Sequence, residues 1–140
     1  MPSVKLNHCN IWTRKLDDTV RFYELCVGLK IGERPPFRVP GAWLYDATGT
    51  PVLHLIDVEN ATPSELAEAG DRDPDKLGGS GSIDHIGFDA DGLDEARTRL
   101  ERAHVKYREA RFPAIKLVQL FMLDPNGVQV EILFRDIADA

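Results

Sequence analysis

Apolar and polar positions along this chain follow the same plan twice. In the run His8-Cys9-Asn10-Ile11-Trp12-Thr13, and again in His85-Ile86-Gly87-Phe88-Asp89-Ala90, residues i, i+2 and i+4 share one face of a strand, so that Cys9, Ile11, Ile86 and Phe88 point away from the histidines. His54 in Pro51-Val52-Leu53-His54-Leu55-Ile56 and Glu131 in Val128-Gln129-Val130-Glu131-Ile132-Leu133 are polar teeth between apolar neighbours that face the other way. After the first strand, Leu16, Val20, Tyr23 and Val27 recur at helical spacing, with Asp17 placed to cap and Gly28 to end the helix. After the third, Leu93, Ala96, Leu100 and Ala103 do the same, with Asp91 placed to cap and Asp94 and Glu95 at the positive end of the helix dipole. Each helix leads to a strand pair joined by a turn: residues 42–46 to 52–56 through Ala47-Thr48-Gly49-Thr50, and 118–123 to 128–134 through Asp124-Pro125-Asn126-Gly127. Each half therefore reads strand, helix, then two or three strands. This predicts one domain over residues 1–140, with a first module over about 4–58, a linker over about 59–82 and a second module over about 83–136. Within the Gly-, Pro-, Asp- and Ser-rich linker, Thr62-Pro63-Ser64-Glu65 has the form of a capping box and predicts a short surface helix over 63–69.

The repeat has chemical content. His8 and His54 are 46 positions apart, His85 and Glu131 are also 46 apart, and 77 residues separate the pairs. Burying an unpaired imidazole or carboxylate in an apolar strand costs several kcal/mol, so each needs a partner, and a cation shared by all four would satisfy them together. Two imidazoles and a carboxylate on a divalent ion leave a net charge of about +1 and open coordination positions, which suits an Fe(II)- or Mn(II)-like ion better than a closed structural zinc site. Such an ion would act as Lewis acid and template for a substrate with two adjacent oxygens. His54 is then either a fourth ligand or an uncoordinated acid-base group. Asn10, Trp12 and Gln129 share the predicted strand faces of the ligands and either line a pocket or pack. Arg14, Arg34, Arg38 and Lys116 are loop charges that could meet an anion, or solvated surface.

Composition narrows the partners. A net charge of −6 and a pI near 5.2 leave no surplus of Lys and Arg for a nucleic-acid polyanion. The opening Met-Pro-Ser-Val-Lys-Leu-Asn-His lacks an apolar signal core, and no run approaches the roughly 20 apolar residues of a membrane span, so a cytoplasmic protein without a membrane partner is expected. Cys9 and Cys26 have neither metal-finger nor redox-pair spacing and read as small core residues.

The runs Leu6-Asn7-His8-Cys9-Asn10-Ile11, Arg21-Phe22-Tyr23-Glu24-Leu25-Cys26-Val27-Gly28-Leu29 and Leu123-Asp124-Pro125-Asn126-Gly127-Val128-Gln129-Val130-Glu131-Ile132 resemble the vicinal oxygen chelate superfamily, which holds glyoxalase I, bleomycin-resistance proteins and extradiol dioxygenases. The resemblance implies an α+β fold of two paired βαβββ modules forming a cupped sheet around a divalent metal, with His8, His85, Glu131 and, as a fourth donor, His54 at the ligand positions. It also implies a small-molecule substrate and a homodimer.

Its branches imply different reactions. Extradiol dioxygenases hold iron with a His, His, Glu triad, which His8, His85 and Glu131 would supply, and use a histidine where His54 stands; a tyrosine that assists them is Phe121 here. Glyoxalase I enzymes carry a carboxylate at the His54 position and a catalytic glutamate matching Glu131. The expectation favours a non-haem Fe(II) or Mn(II) dioxygenase of a small oxygen-bearing, aromatic or related metabolite, with His54 and Glu131 as catalytic residues and Asn10, Trp12, Phe121 and Gln129 against the substrate. A glyoxalase-like lyase or isomerase is the second reading, and a metal-free binding protein of the bleomycin-resistance kind is the third; for either enzyme Ni(II), Co(II) or Zn(II) are the alternative ions.

Overall fold

The computed structural model describes residues 2–140. The chain divides into two compact units: the described residues through Glu24 with Gly28–Leu77, and Leu25–Val27 with Gly78–Ala140. The architecture is α+β, each unit built on one four-stranded mixed sheet.

In the first unit, β1 (Cys9–Thr13) is followed by α1 (Leu16–Phe22), β2 (Lys30–Gly32), β3 (Gly41–Tyr45) and β4 (Leu53–Asp57). The sheet order is β1-β4-β3-β2, with β1 parallel to β4 and the other pairings antiparallel. The helix between β1 and β2 makes the parallel pairing reachable, since parallel neighbours need a long crossover. One sheet face carries Ala42, Leu44, Leu53 and Leu55, all buried. α1 packs on β3 and β4.

Two details depart from the periodicity. Asp17 does not cap α1: the helix begins at Leu16 with Lys15 as N-cap, so Asp17 falls inside the first turn, where it and Asp18 still favour the helix dipole. The helix also widens into a π-helical stretch, Tyr23–Val27, before Gly28 ends it at φ 93. The wider turn rotates the buried stripe to Thr19, Phe22, Tyr23 and Cys26, leaving Val27 half-buried. The linker forms α2 (Pro63–Ala69) as expected: the Thr62 hydroxyl accepts from the Glu65 N–H, and the Glu65 carboxylate accepts from the Thr62 N–H.

The second unit repeats the plan with β5 (Ile86–Asp89), α3 (Leu93–Arg102), β6 (Tyr107–Phe112), β7 (Leu117–Leu123) and β8 (Gln129–Phe134), in sheet order β5-β8-β7-β6. Its buried face carries Val118, Leu120, Met122, Val130, Ile132 and Phe134, and α3 buries Leu93, Ala96 and Leu100. Asp91 does not cap α3. Gly92, at φ 78, takes the N-cap position and its carbonyl accepts from the Ala96 N–H.

The β3–β4 and β7–β8 turns are built alike. The Asp46 carboxylate accepts from the N–H groups of Thr48 and Thr50, as the Asp124 carboxylate does from Asn126 and Val128. Gly49 and Gly127 sit at φ 81 and 80, the left-handed conformation that closes each turn. Among the described residues, no helix is long and apolar enough to cross a membrane.

Candidate functional site

Strand register carries the repeat to the level of single residues. In the first sheet one row runs Asn10, His54, Trp43, Gly32; in the second the matching row runs Gly87, Glu131, Phe121, Arg108. His54 and Glu131 occupy the same place on the central strand of their sheets, and each is followed by an aromatic residue one strand over. Regular pairing starts at Cys9 and Ile86, so His8 and His85 stand at the strand entrances rather than inside the strands.

In the first unit the polar residues meet as rings. His54 is buried, with His8 stacked on it at 3.8 Å between centroids and Trp43 at 4.1 Å, both nearly parallel to it. Two parallel neighbours at that spacing occupy opposite faces of the imidazole, so His54 is sandwiched. Burial, with smaller contributions from the neighbouring His8 and Arg34, pushes the His54 pKa down and keeps the ring neutral. Its Nε2 lies 3.1 Å from the Pro51 carbonyl. A neutral ring that donates there keeps Nδ1 as its acceptor, so the backbone sets the tautomer. His8 Nδ1 lies 2.6 Å from the Asn7 side-chain oxygen.

In the second unit the corresponding residues meet through charged hydrogen bonds. His85 Nε2 lies 2.8 Å from Glu131 Oε2, and its Nδ1 lies 2.7 Å from Asp84 Oδ2. The Asp84 hydrogen bond raises the His85 pKa against the opposing effect of desolvation, and Glu131 adds to the rise. Glu131 is buried, and the Gln119 amide donates to its other oxygen. Gly87 leaves room for this carboxylate: a Cβ there would come within 3.2 Å of Glu131 Oε2. Phe121 and His85 meet as nearly perpendicular rings with centroids 5.8 Å apart, and Gln129 Nε2 donates to Asp84 Oδ2 at 3.0 Å.

The four residues singled out by spacing thus form two pairs, His8 with His54 and His85 with Glu131. Among the described residues, no group of three or more His, Cys, Asp or Glu side chains is placed to hold a metal ion. The donor chemistry of the second pair nevertheless fits one. Two donors at right angles on an ion with bonds of about 2.1 Å stand about 3 Å apart, and His85 Nε2 and Glu131 Oε2 already have that spacing. Asp84 on the far nitrogen completes a carboxylate–histidine arrangement typical of metal-ligating imidazoles.

Of the other candidates, Phe121 and Gln129 stand with His85, and Asn10 is the register partner of His54. Trp12 lies one pair further along; its ring sits against Gly70, where a Cβ would be 3.5 Å away. Arg14 pairs with Glu59 and Asp75, Arg38 pairs with Glu68, and Arg34 donates to the Val39 carbonyl, so these cations serve the fold locally. Cys9 and Cys26 are free thiols whose pKa burial pushes up, which fits packing rather than reactivity. Sequence reasoning missed Trp43, Asp84, Gln119 and Arg108. The signal for Gln119 was present, since it shares the alternation that exposes Phe121, and a carboxylate directly before His85 was visible too.

A family model described as Glyoxalase/Bleomycin resistance protein/Dioxygenase superfamily matches residues 5–132. The chain belongs to this superfamily. It is 28% identical over 131 residues to the protein named Glyoxylase I 4 of Arabidopsis thaliana, covering 91% of this chain and 68% of that protein. Among solved structures it is similar to a glyoxalase/dioxygenase from Nostoc punctiforme, with a TM-score of 0.67, 21% identity and coverage of 96% and 98% of the two chains. A lactoylglutathione lyase from Agrobacterium tumefaciens gives a TM-score of 0.65 at 20% identity, over 95% of each chain. At these identities the structures support the superfamily fold.

Proposed function

We propose that the protein is a divalent-metal-dependent enzyme that acts on a small oxygen-bearing metabolite by proton transfer, as a glyoxalase-like lyase or isomerase. The observation that carries this reading is the 2.8 Å contact between His85 and the buried Glu131, two donors already at the spacing of neighbouring ligands. His8 and His54, the repeat-equivalent pair of the first unit, are proposed as further donors. Fe(II) or Mn(II) is the first choice of ion and Ni(II), Co(II) or Zn(II) the alternatives. When bound, the ion would polarise the substrate oxygens as a Lewis acid. A homodimer in the cytoplasm belongs to the same proposal.

The chain's own residues have distinct parts in it. Gln119 fixes one oxygen of Glu131, so the oxygen that faces His85, on exchanging that contact for the substrate, can accept a proton from a carbon beside a substrate carbonyl and return it to the neighbouring carbon. Asp84 orients His85. Phe121 provides an apolar wall beside His85. The identity to a protein named Glyoxylase I 4 supports proton transfer over the dioxygenase expectation. One observation favours dioxygenase chemistry as a second reading: His54 is held neutral, which suits a base acting on a hydroxyl.

Elemental analysis of protein purified without oxygen, followed by a hemithioacetal assay beside oxygen uptake on a catechol panel, tests both. About one ion per chain and hemithioacetal turnover is the expected result. Oxygen uptake instead would select the second reading. No bound metal and no turnover would contradict both and leave the metal-free binding protein.

A further inference from the structure

The open face of the second sheet extends past His85 and Glu131 to a feature the proposed chemistry does not use. A pocket of about 240 Å³ is lined by Lys106, Tyr107, Arg108, Phe121, Met122, Leu123 and Gln129. Arg108 on β6 and Lys106, just ahead of that strand, both line it. No acidic residue lines the pocket, although the chain as a whole carries a net charge of −6. Among the described residues, neither cation is in an ion pair, whereas Arg97 and Arg111 in the same unit are bound to Glu109. The Arg108 guanidinium lies 4.3 Å from the centre of the Phe121 ring, a cation–π contact. The same ring also meets His85, with centroids 5.8 Å apart. Arg108 and Glu131 stand two strands apart in one register row, about 10 Å.

We propose that Arg108, assisted by Lys106, forms an anion subsite that selects substrates bearing a carboxylate or phosphate tail about 10 Å from the oxygens held at His85 and Glu131. Phe121 lies under the planar or apolar middle of such a molecule, and Gln129 links the two ends through Asp84. The inference rests on the proposed function only for the oxygen-bearing head; the tail contact is independent of the ion. A planar guanidinium takes such a group through two parallel N–H donors, which an ester of the same size cannot match.

Calorimetric titration of dihydrocaffeate, its methyl ester and a catechol with a phosphate tail, with and without Mn(II), tests the subsite in wild-type, Arg108→Gln and Arg108→Lys protein. The wild type should prefer an anionic tail over the ester by about tenfold, as expected for a partly exposed charge-assisted hydrogen bond. Whichever of the two anions binds tighter identifies the tail. Arg108→Gln should abolish the preference while leaving ester affinity unchanged, and Arg108→Lys should keep part of it. Equal affinity for acids and ester in the wild type, an undiminished preference in Arg108→Gln, or no binding of any probe would overturn the subsite. An anion preference that persists while Mn(II) changes nothing would instead count against the metal reading and leave the subsite standing.

Discussion

The first unit gathers its inward polar residues by ring stacking, while the second gathers the equivalent ones by charged hydrogen bonds. His54 and Glu131 hold the same register position, yet one is a neutral imidazole between His8 and Trp43 and the other a carboxylate between His85 and Gln119. The duplicated backbone fixes where a functional side chain stands; the residue type and its immediate neighbours fix its charge. A repeat can therefore place a neutral imidazole in one unit and a carboxylate in the other from a single plan.

The comparison fails first if the two apolar faces are not equivalent. Leu55 and Ile132 are the buried neighbours of His54 and Glu131. Replacing either with alanine should cost about 2–5 kcal/mol by chemical denaturation, through lost burial and an unfilled cavity. A cost confined to one unit would show that the duplication is geometric and not energetic. The turns come next. Asp124 is buried and Asp46 is partly exposed, though each holds two turn N–H groups. Asp124→Ala should destabilise by about 2 kcal/mol and Asp46→Ala by about 1 kcal/mol, because water can replace the acceptor only at the exposed turn.

The smallest effect is the most diagnostic, because its sign differs between the units. The raised pKa of His85 means that its stabilising contribution is fully present below the unfolded value near 6.5 and is lost as pH rises through the folded value. The lowered pKa of His54 works the other way: its cost is absent above the unfolded value and grows as pH falls through it. In metal-free protein, His85→Gln should therefore lose more stability at pH 5 than at pH 8, as about 5 and 8 bracket the ordinary histidine range. His54→Gln should gain relative stability at the acidic end. Each difference should stay under about 1 kcal/mol, since His85 is a third exposed and solvent screens it. Thermal melts at the two pH values read both.

The strand and turn plan was legible because alternation, Asp and Gly turn chemistry and the 77-residue repeat all report local rules. The capping box at Thr62 was legible for the same reason. The helix starts were not, since Asp17 and Asp91 are plausible caps in isolation and the adjoining backbone conformation at Lys15 and Gly92 decided otherwise. The π-helical stretch left no trace in the period of the apolar residues. Pairing of His8 with His54 and of His85 with Glu131 follows from the repeat, each histidine standing two residues before the register partner of its mate. The partners that set their charge do not. Trp43 and Gln119 reach them across neighbouring strands, from positions where an aromatic or amide reads as ordinary alternation.

Metal titration of wild-type and Glu131→Gln protein, followed by calorimetry and by the ligand-field spectrum of Co(II), tests the central claim most directly. The account predicts about one ion per chain in the wild type, a spectrum with mixed nitrogen and carboxylate donors, and affinity lowered by about 100-fold or more in the variant, since a ligand matters at least as much as its outer partners. Equal affinity in the two proteins, or no stoichiometric binding by the wild type, would contradict it.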